Sequence, residues 1–127
     1  MNIFGIGTDI VNINRIKNSL KNKNFINRIF NKKEILKCKK ITNSINCYAK
    51  RFAAKEAFSK ALGTGISNGI NFNEIVILNK KSGKPYISII GQTKKIIDKK
   101  FKKKKSKISL SLSDEKKYAV AFVTISL

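Results

Sequence analysis

One segment constrains the fold more than any other part of the chain: Arg51 to Ile66, RFAAKEAFSKALGTGI. Its alanine content favours a helix, and Gly63 is suited to end that helix because glycine readily adopts the left-handed conformation. With about 100° of rotation per residue, Glu56 projects from a small and mostly apolar face, and Lys60 lies one turn beyond it. A carboxylate on such a face needs an ion partner, a proton or a metal ion, because burying an unpaired charge is costly.

A simpler interpretation places Glu56 on a solvated helix face, either exposed or paired with Lys60 at the i,i+4 spacing. A second isolated carboxylate, Asp9, lies on another predicted element and argues against that interpretation. Two such carboxylates suit a hard cation such as Mg²⁺, which takes oxygen ligands and completes its shell with water and substrate phosphates. The sequence therefore favours a site for Mg²⁺ and a phosphate-containing substrate, with Lys and Arg side chains balancing the charge.

The chain has no histidine among its 127 residues, and this limits the chemistry that it can perform. Ser-His-Asp and Cys-His nucleophile systems are excluded, and so is any imidazole base. In an enzyme, acid–base work would depend on the seven carboxylates, on lysines, on a metal-bound water or on the substrate itself.

The length predicts one domain over residues 1–127, with a 42% share of hydrophobic residues to form its core. No apolar run approaches the ~20 residues that a transmembrane helix needs, and no signal peptide is recognisable. Cys38 and Cys47 lack the spacing of a zinc site, so we expect two reduced thiols in a cytoplasmic protein.

The formal net charge of +21 raises the alternative of nucleic-acid binding. The basic residues are mostly lysines spread along the chain among many Asn and Ile residues, a mixture that indicates a coding bias toward A/T-rich codons. The aromatic residues stand singly among aliphatic ones and offer no stacking platform for bases. An acidic protein or a phosphate-rich small molecule is therefore the better candidate partner.

Apolar spacing and turn residues predict an α+β fold, in which antiparallel hairpins late in the chain pack on earlier helices. The predicted strands are residues 2–10, 74–78, 85–90, 108–113 and 118–125, and the predicted helices are residues 11–20, 25–30, 32–39, 46–62 and 91–101. A loop rich in Gly, Asn and Ser follows the long helix at residues 63–73.

Four stretches carry a resemblance to a known family. They are GIGTDIV at 5–11, RFAAKEAFSKALGTGI at 51–66, GKPY at 83–86 and SLSDEKKYAVA at 111–121. In order and over nearly the whole length, they resemble the holo-[acyl-carrier-protein] synthases, which are small bacterial phosphopantetheinyl transferases. The resemblance implies the 4′-phosphopantetheinyl transferase fold, in which an antiparallel sheet packs on a long helix.

The resemblance also implies an activity. Enzymes of this family transfer 4′-phosphopantetheine from coenzyme A to a serine of an apo-acyl carrier protein in fatty acid synthesis and release adenosine 3′,5′-bisphosphate. Their active sites lie between the subunits of a homotrimer. A second hypothesis, from a different functional class, is that the chain is a basic nucleic-acid-binding module without enzymatic activity.

Roles for particular residues follow from the same resemblance. Asp9 and Glu56 would be Mg²⁺ ligands, and Glu56 and Lys60 would be catalytic, with Lys60 steadying the charge of the leaving group. Contacts with coenzyme A would come from Arg51, Lys60, Gly63, Thr64, Gly65 and Ser111. Arg51 lies about 140° around the helix from Glu56 and cannot serve the same face, which fits sites between subunits.

The general base, the role of Lys55 and one departure from the family pattern stay open. The base could be a Mg²⁺-bound water, our first choice, or else Glu56 or Glu34, although an ordinary surface position is preferred for Glu34. Lys55 could be a second phosphate contact or a solvated lysine. Ser109 stands where many relatives have a histidine near the nucleotide, and it offers a hydroxyl group without charge.

The implied protein partner is an acidic acyl carrier protein. Arg15 and Arg28 match basic positions of the family after the first strand, and Phe25 and Ile29 match its apolar contacts. Phe25 and Ile29 could equally be core residues, because their i,i+4 spacing does not distinguish the two roles. Neighbouring lysines would mainly raise the rate of association.

Overall fold

The computed structural model describes residues 2–63 and 69–127. The strands of this part are β1 (Ile3–Asn12), β2 (Ile75–Asn79), β3 (Pro85–Ile89), β4 (Lys107–Asp114) and β5 (Tyr118–Ser126). The α-helices are α1 (Ile13–Ser19), α2 (Lys23–Ile29), α3 (Lys32–Lys40), α4 (Ser44–Leu62) and α5 (Gly91–Lys100). Every predicted element is present with bounds within two residues of those expected, and the α+β class is confirmed.

A three-stranded antiparallel sheet in the order β1-β5-β4 forms one layer of the fold. Alternate residues of β5 from Ala119 to Ile125 are fully buried and belong to the core that α4 shares. The register pairs Gly7 with Val123 and Asp9 with Ala121. Because directly paired residues share a face of the sheet, Gly7 and Asp9 also point toward α4.

The long helix α4 packs across this sheet. Its buried alanines are Ala49, Ala53, Ala54, Ala57 and Ala61. Gly63 ends the helix with a φ of 80°, and its N–H donates to the carbonyl groups of Lys60 and Ser59 at 3.1 and 3.2 Å. The helix therefore ends where the sequence predicts, through the left-handed cap that glycine allows.

β1 approaches α4 closely because two of its residues are glycines. Gly5 faces the carbonyl group of Ala61, and Gly7 faces that of Ala57. A Cβ atom on either glycine would overlap this helix backbone, which cannot move aside as a flexible side chain could. The two glycines therefore set the separation of β1 and α4, and with it the position of Asp9 along the helix.

A buried ion pair joins α3, α4 and β2. Glu34 and Lys55 both have 0% exposure, and Lys55 Nζ donates to Glu34 Oε1 at 2.7 Å. Lys55 also donates to the carbonyl groups of Phe72 and Ile75 at 2.7 and 2.6 Å. Glu34 accepts further hydrogen bonds from the N–H groups of Asn31 and Ile77. These contacts use all three ammonium protons and give both carboxylate oxygens a donor, as burial requires.

This pair corrects the expectations for both residues. Glu34 is neither a surface residue nor an available base, because its carboxylate is fully enclosed and hydrogen-bonded. Lys55 is neither solvated nor free to contact a phosphate. Burial lowers the pKa of Lys55 to about 8, and the attraction of Glu34 opposes that shift.

A disulfide bond joins Cys38 of α3 to Cys47 of α4, so the expectation of two reduced thiols is wrong. The Cα atoms lie 5.5 Å apart, within the usual range for a disulfide. The residues are nine positions apart in the chain, and the short turn between α3 and α4 brings them together. Sequence spacing alone does not reveal such a meeting of two helices.

Replacement of Gly7 by Ala tests the contact between β1 and α4. We expect Gly7→Ala to lower the free energy of unfolding by at least about 2 kcal/mol, because the added methyl group overlaps the carbonyl group of Ala57. Urea unfolding followed by circular dichroism at one protein concentration measures this loss. Gly83→Ala is the control, since Gly83 has a φ of 93° but no atom within 4 Å of its would-be Cβ, and we expect it to lose about 1 kcal/mol. Equal losses in the two variants would contradict the role given to Gly7.

Candidate active site

A cavity of about 390 Å³ opens between the end of β1, α1, α2 and the middle of α4. Asp9 and Glu56 both line it, together with Arg15, Phe25 and Phe52. The cavity therefore brings together the two carboxylates that the sequence singles out, although 47 residues separate them along the chain.

The carboxylate of Asp9 is largely buried, with a side-chain exposure of 14%. Its Oδ1 accepts a hydrogen bond from Lys60 Nζ at 3.1 Å, and the same ammonium group donates to the Thr8 carbonyl at 3.0 Å. Its Oδ2 is buried and has no hydrogen-bond partner among the described residues. One oxygen of Asp9 is thus engaged, and the other is left for a ligand.

Glu56 lies half-buried on the face of α4 that the helical spacing predicts. Burial raises the pKa of the Glu56 carboxyl group, the negative charge of Asp9 raises it further, and Lys60 acts in the opposite direction. Both carboxylates line one cavity, so their negative charges repel each other. A positive ion between them would relieve that repulsion.

This donor set fits a Mg²⁺ ion bound together with a phosphate group. Within residues 2–63 and 69–127, no group of three or more potential metal-ligating side chains occurs, so the chain offers a pair of carboxylates. Mg²⁺ is usually bound by one or two carboxylates, and substrate phosphates and water complete its octahedral shell. The buried Asp9 Oδ2 without a donor is the feature that most favours a cation.

Arg51 lies on the other side of α4 and does not reach this cavity, as the helical angle predicts. Its side chain is buried, and Nη2 donates to Asn79 Oδ1 at 2.9 Å while Nη1 contacts the carbonyl oxygen and Sγ of Cys47. Burial lowers the pKa of Arg51, against the attraction of Glu34. The guanidinium group borders a separate cleft of about 180 Å³, which two further cations, Lys37 and Lys50, also line.

The remaining residues expected to contact coenzyme A are dispersed in the single chain. Lys60 is paired with Asp9, and Gly63 is exposed at the end of α4. Ser111 lies on β4 opposite Phe122, on the face of the sheet directed away from α4, and Ser109 shares that face. Thr64 and Gly65 lie outside the described residues.

The residues expected to contact a carrier protein divide into two groups. Arg15 and Phe25 line the cavity, and Arg15 is exposed. Arg28 is exposed on α2, away from the cavity lining. Ile29 is only 8% exposed and belongs to the core, which agrees with the alternative interpretation of that residue.

Sequence reasoning missed two residues that shape these sites. Asn12 lines the cavity and caps α1, since its side chain accepts a hydrogen bond from the Arg15 N–H at 3.2 Å. An Asn just before a helical pattern is a recognised signal for such a cap. Asn79 orients Arg51 from 28 residues away, and no local pattern could have revealed that contact.

Comparisons with known proteins agree with this architecture. A family model described as the 4′-phosphopantetheinyl transferase superfamily matches residues 5–123. The chain is 54% identical over 125 residues to the holo-[acyl-carrier-protein] synthase of Pelagibacter ubique (strain HTCC1062), with 98% of each chain covered.

Solved structures are similar as well. The holo-[acyl-carrier-protein] synthase of Neisseria meningitidis superimposes with a TM-score of 0.87 at 39% identity, covering 98% of this chain and 99% of that one. The holo-(acyl-carrier-protein) synthase of Bacillus anthracis in complex with CoA (3′,5′-ADP) gives a TM-score of 0.80 at 35% identity, with 98% and 97% covered.

The chain therefore belongs to the 4′-phosphopantetheinyl transferase superfamily, and within it to the holo-[acyl-carrier-protein] synthase family. The family, the fold and the enzyme class that the resemblance implies are confirmed. These similarities do not support the alternative of a nucleic-acid-binding module without enzymatic activity.

Proposed function

We propose that the chain transfers the 4′-phosphopantetheine group of coenzyme A to a serine of an apo-acyl carrier protein, requires Mg²⁺ and releases adenosine 3′,5′-bisphosphate. The similarity to holo-[acyl-carrier-protein] synthases, one of them in complex with CoA (3′,5′-ADP), supports this donor and acceptor. Within the chain, the observation that carries the proposal is the meeting of Asp9 and Glu56 in one cavity. Fatty acid synthesis, and so lipid biosynthesis, is the process that such a transfer would serve.

Asp9 and Glu56 would hold the Mg²⁺ ion, with Asp9 contributing Oδ2. When bound, the ion supplies positive charge that neutralises the diphosphate and polarises the phosphoryl group. The serine oxygen forms a bond to that phosphorus, and the bond from phosphorus to the oxygen of adenosine 3′,5′-bisphosphate breaks. Lys60 stabilises the charge on that leaving oxygen, and the serine proton passes to a water molecule in the cavity, our first choice for the base, or else to Glu56.

Arg51 would contact a coenzyme A phosphate at a different active site from the one that Glu56 of the same chain serves. The two side chains project from opposite sides of α4, and each borders its own cleft. A homotrimer with sites between subunits would let one helix contribute to two sites. We therefore include the homotrimer in the proposal.

The outer face of the sheet supports this assembly. Large apolar side chains on it are exposed, with 62% of Ile6, 63% of Ile10 and 39% of Phe122 accessible to solvent. Exposed apolar side chains grouped on one face often mark a protein interface. Ser111 pairs with Phe122 in the register and shares the face, so it would lie beside a neighbouring subunit.

An acidic acyl carrier protein would dock at the mouth of the cavity. Arg15 is exposed there, and the ring of Phe25 packs at 6.0 Å from that of Phe52 along its wall. Arg28 extends the basic surface along α2, whereas the burial of Ile29 leaves it little surface for a direct contact. The net charge of +21 would attract an acidic partner and raise its rate of association.

We propose the cytoplasm as the place of action, because coenzyme A and acyl carrier proteins are used there. None of the helices in the described residues combines the length and the apolar character needed to cross a membrane. The Cys38–Cys47 disulfide is the observation that weighs against this location, since such bonds are rare in the reducing cytosol.

Removing one carboxylate at a time tests the metal site. In the presence of coenzyme A and Mg²⁺, we expect the wild type to add the mass of one phosphopantetheine group to an apo-acyl carrier protein, and EDTA to prevent it. Asp9→Asn and Glu56→Gln should lower kcat/KM about 100-fold or more, because each removes a charged oxygen ligand. Intact-mass spectrometry measures the transfer.

Asp98→Asn is the control for these variants, since Asp98 is exposed on α5 and, among the described residues, is paired with Lys94 alone. It should retain wild-type turnover. Activity near that of the wild type in either Asp9→Asn or Glu56→Gln would show that the metal assignment is wrong.

Charge reversal at Arg15 tests the docking site of the carrier protein. We expect Arg15→Glu to raise the KM for the carrier about tenfold, through slower association, while the KM for coenzyme A changes less than about twofold. Steady-state kinetics with each substrate varied separately distinguishes these effects. Lys95→Glu makes the same change on the exposed face of α5 and should alter neither value. A parallel rise in both KM values of Arg15→Glu would refute the docking role.

Sedimentation velocity tests the homotrimer. We expect a species of about three times the 14.3 kDa of the chain, and we expect Phe122→Glu to convert it into a folded, inactive monomer. Leu36→Glu places the same charge at a 59% exposed apolar position on α3 and should leave the trimer intact. A wild-type chain that is fully active as a monomer would exclude active sites shared between subunits.

A further inference from the structure

Lys60 lies in the last turn of α4, but its ammonium group is bound on β1. Nζ donates to Asp9 Oδ1 at 3.1 Å and to the carbonyl oxygen of Thr8 at 3.0 Å. The Lys60 side chain is 56% exposed, whereas that of Asp9 is 14% exposed. The ion pair thus joins a largely solvated cation to a largely buried carboxylate.

The two oxygens of Asp9 differ in their contacts. Oδ1 accepts the hydrogen bond from Lys60, whereas Oδ2 is buried and has no donor among the described residues. Glu56 lines the same cavity. In the part of the chain that the structure describes, Lys60 is the cation within ion-pair distance of Asp9.

A divalent cation on Asp9 and Glu56 would meet the ammonium group of Lys60 on the same carboxylate. Two positive charges a few ångström apart repel each other strongly, and dissolved salt does not screen them at that distance. Lys60 can leave its partner readily, because its long and largely exposed side chain has other solvated conformations and the metal ion then neutralises the buried carboxylate in its place. Lys60 is therefore the group that leaves Asp9 when the metal ion binds.

We propose that Lys60 is the exchangeable counter-ion of Asp9: the metal ion displaces its ammonium group, which then pairs with a phosphate of coenzyme A. This inference rests on the proposed function and adds a property to it, namely that one side chain couples the binding of metal and of coenzyme A. Such coupling is reciprocal, so coenzyme A, by attracting Lys60 away from Asp9, raises the affinity for the metal.

Titration with Mn²⁺, followed by the electron paramagnetic resonance signal of the free ion, tests this role without any turnover. In the absence of coenzyme A, we expect Lys60→Gln to bind Mn²⁺ about two- to fivefold more tightly than the wild type, which is the upper part of the range for ion pairs at a protein surface. Lys60→Met removes the same charge and should show the same gain. Lys60→Arg keeps the charge and should bind Mn²⁺ as the wild type does.

Lys94→Gln is the matched control. Lys94 is 58% exposed and is paired with Asp98 at the same 3.1 Å separation, but it lies on α5 and does not line the cavity. Its replacement changes the net charge equally and should leave the affinity for Mn²⁺ unchanged. When coenzyme A is added, Mn²⁺ binding should tighten by a larger factor in the wild type than in Lys60→Gln.

Unchanged or weaker Mn²⁺ binding by folded Lys60→Gln and Lys60→Met would overturn the counter-ion role. If wild-type transfer still depended on Mg²⁺ in that case, the proposed function would stand and this inference alone would fail. A wild-type chain that binds neither Mn²⁺ nor coenzyme A would remove both the proposed function and the inference that rests on it.

Discussion

The close contact between β1 and α4 is the constraint on which the rest of the structure depends. Gly5 and Gly7 let the strand lie directly against the helix carbonyl groups of Ala61 and Ala57, at a separation that no side chain would permit. Asp9 follows two residues after Gly7 on the same face of the strand, so the contact that forms the core also carries its carboxylate to Glu56. Core packing and site geometry therefore have one common cause. A strand held further away by a Cβ atom would separate the two carboxylates even if every element of secondary structure formed.

The charged side chains of α4 lie in three different environments around the helix, and their charges are balanced differently in each. Glu56 borders the cavity at the end of β1, and Lys60 is paired with Asp9, which lines the same cavity. Arg51 is buried toward β2 and borders a second, cationic cleft. Lys55, adjacent to Glu56 in sequence, lies in the core and is neutralised by Glu34. A helix that carries groups of opposite charge on opposite sides can serve two clefts at once, which is why an assembly of several chains suits the chemistry proposed here.

The few carboxylates of this basic chain are mostly occupied with structural contacts. Glu34 compensates a buried lysine, and Glu74 accepts hydrogen bonds from the N–H groups of Gln92 and Thr93 at the start of α5. Asp114 is bonded to Asn46 and paired with Lys50, and Asp98 is paired with Lys94. Asp9 and Glu56 differ because they share a cavity and repel each other. Their shared cavity, rather than the net charge of +21, identifies Asp9 and Glu56 as the candidate active site.

The sequence by itself determined the order of the helices and strands, their bounds to within two residues, the end of α4 at Gly63 and the choice of Asp9 and Glu56 as candidate ligands. These features depend on apolar periodicity, on glycine and on motifs, all of which act over a few neighbouring residues. Only the tertiary structure decided that Glu34 and Lys55, 21 residues apart, form a buried pair, that Cys38 bonds to Cys47, and that Ile29 belongs to the core while Phe25 borders the cavity. The burial of a charge depends on which distant element covers it, and that is settled when the layers pack together.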